Sequence, residues 1–335
     1  MHFLYLVGID VSKKTLDFTV LHQSEKVFYL QTPNSSKGIQ SFTERFNQEI
    51  DHQSDQVLYC MEFTGIYNNH LLNYFEQHQL NVWVESALRI KQSLGMLRGK
   101  NDQVDSLRIA QYAFRNQDKI RLWKPTRDKI RDLKSLLSLR ERLVKTQQQL
   151  TTPLKEAQGF DTEQLLQIHQ ATLKPILASM GKKLKALEQK IEKLIRSDQA
   201  LNQLFDHVTS VTGIGSTTAA HLIAATNEFK DFTEAKKFAC YAGVAPFEHR
   251  SGTSLKGRSR ISHLANKRIK KLLHLSAMAA IRQPGEVQDY YHRKVESGKN
   301  KMLVLNAVRN KLVHRVFAVI RENRKYDKNY SLALA

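Results

Sequence analysis

The stretch FLYLVGIDVSKKTLDFTVLHQSEKVFYL, residues 3–30, decides the fold of the first part of the chain. Short polar turns separate its apolar runs, which predicts an antiparallel meander of three strands, at 3–9, 16–21 and 26–30. Further along, apolar spacing predicts alternating helices and strands, at 36–50, 56–62, 65–78 and 80–86. Three strands followed by alternating helix and strand predict an α/β module with a mixed sheet, ending near Arg121.

The chain is strongly basic. Its 335 residues include 52 Lys plus Arg against 32 Asp plus Glu, a net charge of +20. An excess of this size favours a polyanionic partner, and nucleic acid is the most common one, although a basic surface can also serve solubility alone. The length allows two or three modules.

Composition also argues against several classes of protein. Cys60 and Cys240 are too few for a disulfide framework or a zinc site and suit a reducing compartment. The apolar opening is too short for a signal peptide and is interrupted by Asp10, and no segment approaches the roughly 20 apolar residues of a membrane span. We therefore expect no membrane partner and a soluble protein in the cytoplasm.

Four carboxylates of this module are candidate metal ligands. Asp10 and Glu62 each end an apolar, strand-like run, where a partly buried acid needs compensation. Asp102 and Asp105 are three residues apart and share one helical face, although Asp102 also suits a helix N-cap. Hard cations such as Mg²⁺ prefer oxygen ligands, and a two-metal site needs several carboxylates, so these four predict metal-assisted chemistry on a polyanion.

The middle of the chain is helical in pattern. We divide the sequence into an α/β module at 1–122, a helical region at 123–200 and a C-terminal region at 201–335. Leu, Lys, Gln and Glu with helical spacing dominate the middle region, which predicts two helices broken around Pro153 to Phe160. They are interpreted as a coiled-coil arm for dimerisation; an ordinary helical hairpin packed on its own domain is the alternative, because each apolar seam lasts only about two heptads.

The C-terminal region carries two signals for nucleic acid. Helical runs flank Gly213-Ile214-Gly215, as in a helix-hairpin-helix whose backbone N–H groups approach a phosphate, or in a plain helical hairpin without ligand. Residues 251–275 then hold seven basic residues and no acid, beginning in a Gly/Ser-rich loop, where polyphosphate is the natural counterion. The candidate contacts are Gly213, Gly215, Arg250, Lys256, Arg258, Arg260, Lys267 and Arg268, with His249 beside them.

Several motifs carry a resemblance to a known family. GIDVSKKTLDF at 8–18, MEFTGIY at 61–67 and KNDQVDSLRIAQYA at 100–113 resemble the RNase-H-like, Holliday-junction-resolvase-like domain of the insertion-sequence-110 transposases. SVTGIGSTTAAHLIA at 210–224 and FACYAGVAPFEHRSG at 238–252 resemble that family's C-terminal transposase domain. The resemblance covers nearly the whole chain in the expected order. Ser106, where the family more often has alanine, and SALRIKQ at 86–92, which lacks an Asn-Pro, depart from its pattern.

The resemblance implies a recombinase that a structured bridge RNA guides to donor and target DNA. The family's four acids correspond to Asp10, Glu62, Asp102 and Asp105, which are then expected to bind Mg²⁺, two ions by analogy, and its catalytic serine corresponds to Ser251. It implies an RNase-H-like α/β N-terminal domain, a helical middle and a mainly α transposase domain with the helix-hairpin-helix. Double-stranded DNA, a guide RNA and a dimer or tetramer are the expected partners.

Alternatives remain at the level of the residues. Ser251 is a poor nucleophile unless activated, and HRSGTS is also a typical turn, in which Thr253 or Ser254 is an equal candidate. The pair Tyr290-Tyr291 suggests a tyrosine recombinase, but it lies on an amphipathic helical stretch. The acids alone also suit a nuclease or junction resolvase that activates water, and a degenerate site would leave a nucleic-acid-binding scaffold.

Overall fold

The computed structural model describes residues 3–93, 101–245, 247–251, 255–260 and 265–327. The chain divides into two compact units, Met1–Pro125 and Thr126–Ala335. The predicted α/β module thus continues a few residues beyond Arg121. The three-part division of the sequence stays a prediction.

A mixed sheet organises the first unit. Its strands are β1 (Tyr5–Val11), β2 (Thr15–His22), β3 (Glu25–Pro33), β4 (Val57–Glu62) and β5 (Val82–Glu85). The order is β3-β2-β1-β4-β5, with the first three strands antiparallel and β1, β4 and β5 parallel. The predicted meander and mixed sheet are confirmed, but Asp10 lies within β1, not at its end, because β1 pairs with β2 through Val11.

Helices of the first unit connect the strands and cover both sheet faces. They are α1 (Ser36–Glu49), α2 (Asn69–Gln77), α3 (Ala87–Ser93) and α4 (Asp102–Arg115), with a short 3-10 turn at Gly65–Asn68 before α2. On one face, Phe18 of β2 stacks on Phe42 of α1, with ring centroids 3.9 Å apart. On the other face, α4 buries Ile109 and Ala110 against the sheet.

The backbones of α4 and β1 come unusually close at Gly8. A Cβ at this position would lie 2.2 Å from the carbonyl O of Ser106 and 2.3 Å from the N of Ala110. Thr19, which pairs with Gly8 across the sheet, shares a buried 2.8 Å hydrogen bond with the Ser106 hydroxyl. The serine that departs from the family pattern thus helps to fix α4 on the sheet.

The second unit is built mainly from helices. Two long ones, α5 (Asp128–Glu156) and α6 (Glu163–Arg196), pack as a hairpin, and Ile130, Leu137 and Leu187 at its base belong to the core of the same unit. This packing corresponds to the alternative of a hairpin packed on its own domain. The coiled-coil arm for dimerisation stays a prediction. The remaining helices are α7 (Gln199–Ser210), α8 (Ser216–Ala225), α9 (Ala235–Tyr241), α10 (Lys267–Ala280), α11 (Glu286–Glu296) and α12 (Lys301–Arg321).

A two-stranded hairpin interrupts these helices. Strands β6 (Phe247–Ser251) and β7 (Leu255–Arg260) pair antiparallel, with Arg250 opposite Lys256 and Ser251 opposite Leu255. Ser251 thus ends a paired strand, and Lys256, Arg258 and Arg260 lie on the next one, whereas residues 252–254 of the predicted Gly/Ser-rich loop lie outside the described residues. Among the described helices, none is long and apolar enough to cross a membrane.

The contact at Gly8 predicts a large effect of one methyl group. Gly8→Ala should lower the free energy of unfolding of the first unit by about 1–3 kcal/mol or more, because the clash is with helix backbone that has no rotamer to change. Both tryptophans, Trp83 and Trp123, lie in this unit, so urea unfolding followed by tryptophan fluorescence measures it.

The control is Gly181→Ala within α6, where a Cβ would meet no described atom within 4 Å. That variant should be neutral or more stable by up to about 1 kcal/mol in urea unfolding followed by circular dichroism, since alanine is the better helix former. Equal, small effects of the two substitutions would contradict the close approach.

Candidate functional site

Acidic side chains form a row across one face of the first unit's sheet. Asp10 of β1 pairs with Asp17 of β2, and Glu62 of β4 pairs with Glu85 of β5. Glu62 directly follows Met61, the parallel partner of Ile9, so it continues the row beside Asp10. Because alternate residues of a strand share a face, the four carboxylates lie on the face that α4 covers.

Helix α4 brings two more acids to this face. Asn101 is its N-cap and accepts a 3.1 Å hydrogen bond from the Gln103 amide, so Asp102 and Asp105 lie in the first turn. The alternative that Asp102 is the cap is therefore wrong. Acids are favoured there by the helix dipole, and the close approach at Gly8 holds this end of α4 near β1.

The predicted acids influence one another electrostatically. Burial, followed by the charges of Asp102, Asp105, Asp17 and Glu62 in that order, raises the pKa of Asp10 to about 6. Burial, followed by the charge of Asp105, also raises the pKa of Glu62. Each of these carboxylates therefore disfavours the ionised form of its neighbours.

Two arginines of the described part of the chain contact acids of this face. Arg108 forms a 2.8 Å salt bridge with Asp105, one turn along α4. Glu85 is better compensated than its neighbours in the row: its Oε1 accepts a 2.7 Å bond from the Ser86 amide, its Oε2 accepts from the Tyr112 hydroxyl at 3.3 Å, and Arg89 lies 3.5 Å away. We therefore exclude Glu85 from the site.

The acids fit a divalent cation in donor type and charge. Oxygen ligands and surplus negative charge are what Mg²⁺ requires. As they stand, however, no three Asp, Glu, His or Cys side chains of the described part of the chain are grouped closely enough to hold an ion. Mutual repulsion is a sufficient reason for such separation, and we expect the side chains to converge only around a bound cation.

Sequence reasoning missed Asp17. The run TLDFTVL was treated only as a strand, although a carboxylate inside an apolar strand is the same signal that identified Asp10. Asp17 is 1 % exposed and lies directly opposite Asp10.

The predicted nucleic-acid contacts lie in the second unit and differ in their surroundings. Gly213 has a φ of +87°, and a Cβ there would lie 2.5 Å from the carbonyl O of Ser276, so this glycine lets α10 pack on the turn between α7 and α8. Gly215 precedes α8 with open space around it among the described atoms. The predicted helices on either side of the turn are present; its contact with phosphate stays a prediction.

Arg268 is held by internal contacts. Its guanidinium donates to the carbonyl O of Leu137 at 2.8 Å, lies 3.1 Å from Nε2 of His221, and forms a 2.6 Å salt bridge with Glu141. Lys267, in contrast, is exposed at the start of α10. Arg250, Lys256, Arg258 and Arg260 are on the β6–β7 hairpin, and the placement of their side chains, like that of Ser251, falls outside what the structure describes.

The tyrosine pair of the alternative mechanism lies on α11. Tyr290 packs against the core of the second unit, and Nζ of Lys311 lies 4.6 Å from its ring centroid. Such contacts are typical of a packing residue.

Comparison with known proteins identifies the chain. A model described as the Transposase IS116/IS110/IS902 family matches residues 206–292, and a second transposase model, of the DEDD type, matches residues 7–157. The chain belongs to the IS110 family of transposases. It is therefore an enzyme of DNA recombination, as the motifs predicted.

Curated relatives agree with this membership. The chain is 28 % identical to the pilin gene-inverting protein of Moraxella bovis over 96 % of its own length and 97 % of that protein. The pilin gene-inverting protein of Moraxella lacunata gives the same figures. A protein of insertion element IS110 from Streptomyces coelicolor is 29 % identical over 45 % of this chain and 36 % of its own length.

The contacts of Arg268 predict a structural role. Arg268→Ala should lower the free energy of unfolding of the second unit by about 1–3 kcal/mol, because the buried acceptors lose their donor. Lys271→Ala, at an exposed position of the same helix, should change it by less than about 0.5 kcal/mol. Thermal and urea unfolding followed by circular dichroism measure the stability of both variants. Equal stability of the two variants would contradict the structural role, and Arg268 would then remain a candidate for phosphate contact.

His221 predicts a pH dependence of stability. Burial, followed by the charges of Arg268 and Arg140, lowers its pKa to about 3, so the folded chain keeps it neutral while the unfolded chain protonates it below about pH 6.5. The unfolded state then binds more protons, and the stability from neutral His221 falls as pH drops from about 6.5 towards 3, by at most about 1.4 kcal/mol per pH unit.

His221→Gln isolates this contribution, since glutamine keeps an acceptor for Arg268 but does not titrate. The stability difference between wild type and variant, from urea unfolding at neutral and mildly acidic pH, should shift in favour of the variant as pH falls. A pH-independent difference would show that His221 does not change protonation on unfolding.

Proposed function

We propose that the chain is a Mg²⁺-dependent, RNA-guided DNA recombinase that cuts and rejoins DNA through a phosphoserine intermediate on Ser251. The observation that carries the proposal is that Asp10 and Glu62 lie on the sheet face that α4 covers, with Asp102 and Asp105 in the first turn of that helix. Burial and the acidic neighbours together raise the pKa of Asp10 to about 6. The mixed sheet is compatible with an RNase-H-like fold.

The four acids are proposed to hold the cation, two ions by family resemblance. Mg²⁺ held there would polarise a phosphoryl oxygen and stabilise charge on the attacking and leaving oxygens. The packing of α4 on β1 at Gly8 keeps the two helical acids beside the strand acids.

Ser251 is proposed as the nucleophile. Its Oγ forms a bond to the scissile phosphorus, the bond from phosphorus to one sugar oxygen breaks, and the serine proton leaves with that oxygen. The covalent phosphodiester retains the energy of the cleaved bond, so rejoining needs no external energy source. Because Ser251 belongs to the second unit and the acids belong to the first, the proposed site is composite, within one protomer or between protomers.

The remaining partners follow from the proposal. Double-stranded donor and target DNA are the substrates, and basic residues of the β6–β7 hairpin are candidates for backbone contacts. A structured guide RNA is proposed from the family resemblance alone. Strand exchange needs at least two active sites, so we propose a dimer or tetramer acting in the bacterial cytoplasm or nucleoid.

The nucleophile predicts a covalent adduct. Labelled substrate DNA incubated with the protein, its co-purified RNA and Mg²⁺ should give a denaturation-resistant protein–DNA adduct. Ser251→Ala should abolish it, while Thr253→Val and Ser254→Ala, which change the neighbouring hydroxyls, should retain it. Asp10→Asn should reduce the adduct by at least about 10²-fold, because the cation site loses a ligand.

Other outcomes select other functions. Hydrolytic nicking without an adduct would indicate a nuclease or junction resolvase that activates water. An adduct that persists in Ser251→Ala would contradict the assignment of the serine. Absence of a defined RNA in the purified, active protein would remove the guide from the proposal.

A further inference from the structure

We propose that Asp17 is a fifth carboxylate of the acidic site, a positioning residue that strengthens the binding of the divalent cation by Asp10 and its neighbours. This inference deepens the proposed function and rests on it, because it concerns the same cation.

Asp17 is buried with one oxygen unsatisfied. Its Oδ1 accepts hydrogen bonds from the Tyr29 hydroxyl and, at 2.9 Å, from Nε2 of Gln31, both on the neighbouring strand β3. Its Oδ2 is fully buried and has no hydrogen-bond partner among the described residues. A buried carboxylate oxygen without a donor is costly, which indicates that a partner is absent.

The sheet register directs Asp17 to the acidic site. Asp17 and Asp10 are directly opposite each other on neighbouring antiparallel strands, so their Cβ atoms are separated by about 4.5–5.5 Å on the same face. Gln31 pairs with Asp17 on the other side. The row therefore runs from a neutral donor, through Asp17 and Asp10, to Glu62.

The donors on Asp17 orient it without cancelling its charge. Tyr29 and Gln31 are neutral, and burial, followed by the hydrogen bond to Asp17, raises the pKa of the Tyr29 hydroxyl, which keeps it a donor. Glu85, at the far end of the row, has Arg89 within salt-bridge distance. Asp17 thus combines fixed geometry with uncompensated negative charge.

A cation between the acids would satisfy Asp17. Cross-strand like charges are destabilising when no counter-charge is present. A divalent cation held by Asp10, Glu62, Asp102 and Asp105 supplies that charge, and Oδ2 either contacts it or accepts a hydrogen bond from a group bound to it. Such supporting groups orient the ligands and contribute to affinity.

The test is a titration of the full chain with Mn²⁺, followed by calorimetry or by the electron paramagnetic resonance signal of free Mn²⁺. Asp17→Asn keeps the size of the side chain and an oxygen for Tyr29 and Gln31 but removes the charge. It should weaken Mn²⁺ binding by about 10–100-fold. Without metal, the variant should be at least as stable as wild type, because the buried side chain at position 17 no longer repels Asp10.

Two further variants make the result specific. Asp55→Asn removes an exposed charge just before the N-terminal end of β4, opposite to the end that carries Glu62, and should leave Mn²⁺ affinity unchanged. Asp10→Asn should weaken binding strongly. If wild type itself binds no Mn²⁺, the proposed metal site fails. If Asp17→Asn binds Mn²⁺ as tightly as wild type while Asp10→Asn does not, the metal site stands and the role of Asp17 is overturned.

A crystal structure of the wild-type chain with Mn²⁺ decides the question even if Asp17→Asn does not fold. The anomalous signal locates the ion. The proposal requires Oδ2 of Asp17 on the ion or within about 3.2 Å of a group bound to it. An Oδ2 bonded only to protein groups away from the ion would assign Asp17 a purely structural role.

Discussion

The close approach of α4 to β1 at Gly8 is the constraint on which the proposed site depends. The strand acids are fixed by sheet register, but Asp102 and Asp105 reach them only because helix and strand backbones meet where a side chain would clash. The buried bond between Ser106 and Thr19 adds a directional contact at the same crossing. Packing of apolar residues behind these contacts opposes the repulsion between the acids.

The repulsion between the acids changes their ionisation. Burial and four neighbouring carboxylates raise the pKa of Asp10 to about 6, whereas Glu85 in the same row has hydrogen-bond donors and a nearby arginine. The row therefore contains both a compensated and an uncompensated acid. Surplus negative charge on one sheet face, in a chain of net charge +20, supports the proposed cation site.

Much of the fold and part of the site could be predicted from the sequence. Apolar runs separated by short polar turns predicted the strands. Asp10 and Glu62 were identified as candidates because an acid after an apolar run needs compensation. Asp17 carries the same signal but was hidden inside a strand whose partner residues only the register reveals. Arg268 is a residue whose role the sequence did not reveal. It lies within a basic run and was predicted to contact phosphate, but in the folded unit it has three internal partners.

We propose that acids of the first unit and a serine nucleophile of the second act in the same reaction. Mass spectrometry of the proteolysed covalent protein–DNA adduct tests this, because it identifies the residue that carries the nucleotide. We expect a phosphodiester on the peptide that contains Ser251, and we expect this adduct to form only with a divalent cation. A nucleotide on Tyr290 or Tyr291, or a Ser251 adduct that forms equally well in chelator, would contradict it.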